Sequence, residues 1–234
     1  MSPLFITGIG TDTGKTVVAA ILTEALGAAY WKPVQAGFDQ GTDSEWVASR
    51  ISRPAGRILP EAYRLSLAAS PHIAAREEGL RIDLDKISRQ LDEWQAAASP
   101  SHTPTSASAA VPWDPGASPE FLIIEGAGGL LVPLNEQEFV LDLALRLKAP
   151  VILVSRNYLG SINHSLLTAR VCRAQGLPVA GWIFNDQYGH YEEEIVQWSG
   201  IPAIASIPCS ERAPDGEFIR DQAARIRPAL LAAL

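Results

Sequence analysis

Thiols, histidines and positive charge are all scarce in this 234-residue chain. Its two cysteines, Cys172 and Cys209, stand in no CxxC or Cys/His spacing. Both are therefore expected to be small buried apolar residues. Four histidines form no metal-binding spacing, and neither a Ser/His/Asp arrangement nor a nucleophile elbow appears. Against 26 acidic residues there are only 19 Lys and Arg, giving a net charge of −7 and a pI near 5.1. Such a balance argues against a broad nucleic-acid-binding face, which needs clustered cations. It leaves room for a small basic pocket, for which Lys15 and Lys32 are the candidates. No apolar run approaches bilayer-spanning length, and no basic segment precedes an apolar one at the N-terminus. The expectation is a cytosolic protein that binds neither membrane nor nucleic acid. Internal repeats are absent.

Hydrophobic residues make up 47% of the chain and charged residues 19%, ample for a buried core. This length suits one α/β domain over 1–234. Six short runs read as strands: "LFITGI" (4–9), "YWKPV" (30–34), "FLIIE" (121–125), "VILVS" (151–155), "VAGWIFN" (179–185) and "AIASI" (203–207). Several are apolar throughout, as in a parallel sheet covered on both faces. Helical patterns alternate with them. "GKTVVAAILTEAL" places Val17, Val18, Ile21, Leu22 and Ala25 at helical spacing. "SINHSLLTARVCRAQG" has Ser161 as a candidate N-cap and Gly176 as its stop, and "YEEEIVQWSG" closes at Gly200. A stripe of Leu84, Ile87, Leu91 and Trp94 reads as core packing. This alternation predicts a doubly wound, mostly parallel sheet in a three-layer α/β/α arrangement. The Ala/Ser/Pro-rich segment at 96–120 reads as a surface insertion.

The segment "TGIGTDTGKT" (7–16) follows an apolar strand and precedes an amphipathic helix, the setting of a phosphate loop. Free amides at the helix start make an anion cradle. Gly14 would let the main chain approach phosphates, Lys15 would reach the outer ones, and the Thr16 hydroxyl would offer a hard oxygen to Mg²⁺. Its spacing is unusual, with five residues rather than four between Gly8 and Gly14. Glu125 closes the run "FLIIE", at the strand edge where open parallel sheets bind ligands. A carboxylate there needs a compensating cation, and phosphate-bound Mg²⁺ is the natural one. Asp43 lies in "TDSE", which resembles a capping box with Thr42 as N-cap. A helix-terminal role and a ligand role both stay open for it. Lys32, before Pro33, reads either as an exposed charge or as a second cation facing a transferred phosphoryl group. The helix start in "LGSINH" (159–164) could hold a carboxylate, and His164 reads as a helix-surface or core residue.

Taken in order, "TGIGTDTGKT", "WKPVQAG", "TDSE", "SPHIAAREEG", "IIEGAGGLLVPL", "PVILVSRNYLGSINHSLLTARV", "GLPVAGWIFND" and "SIP" resemble the dethiobiotin synthetases. The resemblance runs from residue 4 to about 208, interrupted mainly by the 96–120 insertion. In that family the loop reads G-x5-G-K-T, so the spacing from Gly8 to Gly14 is a family variant. The resemblance implies a P-loop NTPase-like fold and an ATP-dependent ring closure. One amine of 7,8-diaminopelargonate captures CO₂ as a carbamate, ATP activates it as a carbamic-phosphoric anhydride, and the other amine closes the ureido ring. By the same resemblance Asp12, Thr13, Gly14, Lys15, Thr16 and Val17 would hold the ATP phosphates, and Thr16, Asp43 and Glu125 would hold Mg²⁺. Lys32 and Lys15 would be the catalytic cations, with Gly126, Ala127 and Gly128 lining the nucleotide site. Asn185 and Asp186 would meet the adenine, bordered by Ile207, Pro208 and Cys209, with Asp215 a further candidate. Gly160, Ser161, Ile162 and Asn163 would capture the substrate's tail carboxylate across a homodimer interface.

Two positions depart from the family pattern. Gly10 stands where an Asp is common, and Ala36 stands where a Ser or Thr hydroxyl usually faces the substrate. One rival reading is a partitioning or division-site switch ATPase, but the signature lysine of that group would fall at Gly10. Another is a cobyrinate-type ATP-dependent amidase, whose glutaminase partner has no counterpart in this chain.

Overall fold

The computed structural model describes residues 1–97, 119–185, 191–210 and 212–234. Most of the 96–120 insertion, and Asp186, lie outside the described residues. The first half runs β1 (Ser2–Gly8), α1 (Lys15–Leu26), β2 (Ala29–Trp31), β3 (Val34–Ala36), α2 (Asp43–Ala48), β4 (Ile58–Leu59), β5 (Tyr63–Leu65), α3 (Pro71–Glu77) and α4 (Leu84–Ala97). The second runs β6 (Phe121–Gly129), α5 (Val140–Arg146), β7 (Val151–Arg156), α6 (Ser161–Ala174), β8 (Val179–Asn185), α7 (Tyr191–Ser199), β9 (Ala203–Ile207) and α8 (Gly216–Ala233).

Seven strands form one sheet in the order β4-β2-β6-β1-β7-β8-β9, and every pairing in it is parallel. Strands β6 and β7 lie on opposite sides of β1, so the chain switches direction there. Ligands bind beyond the strand ends at such a switch point. Consecutive strand residues serve two different cores. Phe5, Trp31, Ile124, Leu153 and Phe184 pack on one face, with the stripe of α4. Leu4, Ile6, Tyr30, Ile123, Val154 and Ile183 pack on the other, against α1 and α8. The uninterrupted apolar runs follow from this, because neither face meets water. The α4 stripe is buried as expected, and Trp94 meets Trp31 edge-on with centroids 4.9 Å apart.

Four local expectations are corrected. The run 30–34 is not one strand, because the chain leaves the large sheet after Trp31. Pro33 lacks the N–H a central strand needs. Its carbonyl instead accepts from Ala62 and Tyr63, and β3 pairs with β5 in a separate two-stranded ribbon. Strand β6 continues past Glu125 to Gly129, since "GAGG" carries no bulk to stop the pairing and Gly129 comes opposite Gly8. The N-cap of α6 is Gly160, at φ 104°, and Ser161 is its first helical residue. Cys172 is buried, but Cys209 is exposed beyond the end of β9, where no element among the described residues covers it.

Candidate active site

The phosphate loop closes the C-terminal end of β1. Asp12 and Gly14 both take positive φ, 57° and 82°, which turns the chain tightly enough to start α1 at Lys15. Glycine at 14 meets a second demand, since a Cβ there would collide with the Asn185 side-chain amide. That amide donates to the Thr13 carbonyl over 3.2 Å, tying β8 to the loop. Thr13 is itself buried, with its hydroxyl 3.4 Å from the Gly10 carbonyl. Around Gly10 there is open space, so packing does not demand glycine at that position.

Beside the loop lies a knot of charge. Lys32 reaches Asp43 Oδ2 at 2.7 Å and Glu125 Oε1 at 2.8 Å, with the Gly126 carbonyl at 3.3 Å. The Thr16 hydroxyl donates to Glu125 Oε1 at 2.9 Å, and the Tyr30 phenol donates to Oε2 at 2.8 Å. Asp43 opens α2, whose N-cap Thr42 and Glu45 form the expected capping box. Gln35 braces that helix start, accepting from the Asp43 N–H at 3.2 Å and donating to the Gly37 carbonyl at 2.8 Å.

The two lysines differ in electrostatics. Burial pushes the Lys15 ammonium down to about 8, and the charge of Lys32 pushes it the same way. Its Nζ is held by the Gly10 carbonyl at 2.9 Å. Burial alone would also lower Lys32, but Glu125 and Asp43 outweigh it and hold that ammonium above its ordinary value. Burial, then the Glu125 charge, keeps the Tyr30 phenol well above the usual tyrosine range and thus protonated.

Lys15, Thr16, Lys32, Asp43 and Glu125 share a cleft of about 780 Å³, with Tyr30 buried behind it. Of the residues expected at the site, Asp12, Gly14, Lys15, Thr16, Val17, Lys32, Ala36, Asp43, Glu125, Ala127 and Gly128 line it. Gly126 lies behind, against Phe5 and Val140. An adjoining pocket of about 320 Å³ takes in Asp12, Gly14, Val17, Asn185, Pro208 and Cys209. Ile207 is buried in the core below it. Asp215 caps α8, accepting from the Phe218 N–H at 2.9 Å, while its neighbours Pro214 and Phe218 face the pocket. Asp186 lies outside the described residues. Gly160, Ser161, Ile162 and Asn163 form the first turn of α6. They flank an apolar groove lined by Ile9, Leu131, Val132, His164 and Leu167 rather than the cleft itself.

Sequence reasoning missed Tyr30, Gln35, Trp46 and Arg156. Gln35 and Trp46 line the cleft and Arg156 lines the adjoining pocket. Tyr30 meets Glu125 across 95 positions of chain. Only its place on the same face of a neighbouring strand could have signalled that contact.

The oxygen set suits a hard divalent cation. Thr16, Asp43 and Glu125 offer only hydroxyl and carboxylate donors. The Lys32 ammonium bridging the two carboxylates marks the spot as one where positive charge is stabilised.

A parallel sheet, a switch point and this loop define a phosphate-loop NTPase-like protein. A family model described as an AAA domain matches residues 2–213. Among solved structures, the chain is similar to the septum site-determining protein MinD complexed with Mg-ADP from Pyrococcus horikoshii OT3. That likeness has a TM-score of 0.54 at 18% identity, over 97% of this chain and 89% of that one. The MinC:MinD cell division protein complex of Aquifex aeolicus matches with a TM-score of 0.54 at 14% identity, over 97% and 96%. At such identities these likenesses speak for the fold alone, and the switch-ATPase reading has no further support.

Relatives by sequence are more specific. An ATP-dependent dethiobiotin synthetase of Rhodopseudomonas palustris (strain BisB18) is 43% identical over 210 residues, 89% of this chain and 88% of that protein. Its counterpart in Cytophaga hutchinsonii is 45% identical over 196 residues, 84% and 82% respectively. The chain belongs to the ATP-dependent dethiobiotin synthetase family.

Proposed function

We propose that the protein is an ATP-dependent cyclo-ligase that converts 7,8-diaminopelargonate and CO₂ to dethiobiotin in biotin biosynthesis. Family membership supports the activity. The observation that carries it to these residues is the Lys32 ammonium, poised between Asp43 and Glu125 beside the phosphate loop. In the chemistry, one amine adds to CO₂ and loses a proton, giving a carbamate. The carbamate oxygen attacks the γ-phosphorus of ATP and ADP leaves. The second amine then attacks the carbamoyl carbon, closing the ring and expelling phosphate with loss of a proton.

The loop amides and Lys15 bind the β- and γ-phosphates, and the pocket at Asn185 and Pro208 takes the adenine. Lys32 neutralises the carbamate and the phosphoryl group in flight, where fixed charge lowers the barrier without reorganisation. Thr16, Asp43 and Glu125 would hold Mg²⁺, which supplies charge neutralisation and alignment of the polyphosphate. Each phosphate brought into the cleft draws Lys32 from its carboxylates toward the reacting oxygens. Ala36 presents only a methyl group on the wall, so a side-chain hydrogen bond from that position is lost.

A cytoplasmic homodimer with a shared active site fits the same reading. Leu131 and Leu167 are exposed in the groove beside α6, and Leu159 is exposed just before that helix. At the start of α6, Asn157 and Ser161 keep buried polar atoms without a partner among the described residues. Among the described residues no helix is long and apolar enough to cross a membrane.

The test is to incubate the protein with Mg-ATP and bicarbonate, with and without diaminopelargonate, and measure phosphate release and dethiobiotin by mass. Product in one-to-one ratio with phosphate is expected. Hydrolysis without product, indifferent to the diamine, would sink the reading.

A further inference from the structure

Tyr30 belongs to neither the loop nor the oxygen set, yet its hydroxyl is spent entirely on the site. Its side chain is fully buried on β2, on the face that packs against α1. Residue 30 stands in register with Ile123, two positions before Glu125, so the two side chains leave neighbouring strands on the same face. The two oxygens of Glu125 are divided by this contact. Oε2 takes the phenol at 2.8 Å, while Oε1 takes both Thr16 and Lys32. A carboxylate at the end of a Glu side chain turns over a broad, shallow torsional well. Without a partner for Oε2, either oxygen could swing toward the phosphates, and one would be left buried and unsatisfied.

We propose that Tyr30 is a positioning residue that locks the Glu125 carboxylate, so that Oε1 is the oxygen that would be offered to the metal ion. The inference rests on the assignment of Glu125 to the metal set made above. Groups that orient metal-binding side chains typically cost tenfold or more in metal affinity when removed. Tyr30→Phe keeps the ring that fills the core and deletes only the hydroxyl, a near volume-conserving change.

The experiment titrates a non-hydrolysable ATP analogue by calorimetry, in EDTA and across Mg²⁺ concentrations. It compares the parent protein, Tyr30→Phe, Glu125→Gln and the double variant, with folding checked by circular dichroism. Tyr30→Phe should raise the Mg²⁺ concentration for half-maximal enhancement about tenfold, with affinity in EDTA unchanged. The same substitution should add nothing in the Glu125→Gln background. An unchanged Mg²⁺ requirement in folded Tyr30→Phe, or equal weakening with and without the metal, overturns the proposal while Glu125→Gln still loses Mg²⁺ dependence. If Glu125→Gln keeps full Mg²⁺ dependence, the assignment of Glu125 falls, and the role of Tyr30 with it. Should Tyr30→Phe fail to fold, protein labelled with 3-fluorotyrosine gives the answer. The ¹⁹F resonance shifted by Glu125→Gln must also move when Mg²⁺ joins the nucleotide complex, and a fixed resonance rejects the coupling.

Discussion

Lys15 and Lys32 sit in adjoining parts of one cleft and are almost equally hidden from water, yet their surroundings oppose each other. Around Lys15 there are backbone dipoles and another cation, and burial drives its ammonium down to about 8. Around Lys32 there are two carboxylates within 2.8 Å, and they hold its charge firmly. Burial alone therefore does not decide the state of a lysine, because its partners do. On the proposed function the loop side is a cationic socket short of an anion, which the nucleotide would supply. The carboxylate side is already neutralised and would have to rearrange when metal and phosphates arrive.

The sharpest way to break this contrast is to remove Lys32. Lys32→Ala should lower dethiobiotin formation about 10³-fold while nucleotide affinity, followed by calorimetry, stays within a few-fold. Full activity would remove Lys32 from the mechanism. Removing the other partner should invert the pattern. Lys15→Met should weaken binding of the ATP analogue by roughly 10- to 100-fold, the scale of a charged hydrogen bond, even in EDTA.

pH separates the two lysines more finely. On the proposed function phosphate binding needs the Lys15 ammonium and would raise its proton affinity, so binding would take up a proton once the empty site has lost its own. Nucleotide affinity should be constant below about pH 8 and fall above it, by at most about tenfold per unit, in titrations that Lys15→Arg flattens. For the empty protein the same group acts with the opposite sign. Its lowered pKa costs stability below about 8, and that cost is relieved as pH rises from there toward the ordinary value of 10.5. Lys32, held above its ordinary value, stays protonated through that window. A flat affinity profile in the parent protein would contradict the contrast.

The smallest effect is expected at Gly10, where an added Cβ would meet nothing within 4 Å. Gly10→Asp should change unfolding free energy by no more than about 0.5 kcal/mol, checked by denaturant melts. Any larger change would place that side chain nearer Lys15 than the loop geometry does.

How much could be read before folding depended on the range of each signal. The phosphate loop, the capping box at Thr42 and the parallel sheet are written in neighbouring residues, and periodicity or spacing exposes them. Pro33 was visible too, but its consequence was not. A proline ends pairing on one strand without saying where the chain goes next, so the ribbon of β3 and β5 was missed. Glu125 was legible as a carboxylate needing a cation, whereas Tyr30 looked like one more aromatic strand residue. Its role depends on strand order, and order is fixed by packing across the whole sheet. The exposed position of Cys209 was likewise a matter of what fails to cover it.

The break at Pro33 divides the cleft between two carriers. Of the groups proposed to handle phosphoryl chemistry, Glu125 is borne by the large sheet, and Lys32 follows directly on the last residue of its strand β2. The wall with Gln35 and Ala36 hangs from a ribbon of two three-residue strands. Changes of size or polarity on that wall can accumulate in such a scaffold without disturbing the reactive end, so a lineage can retune what it grips while conserving how it reacts.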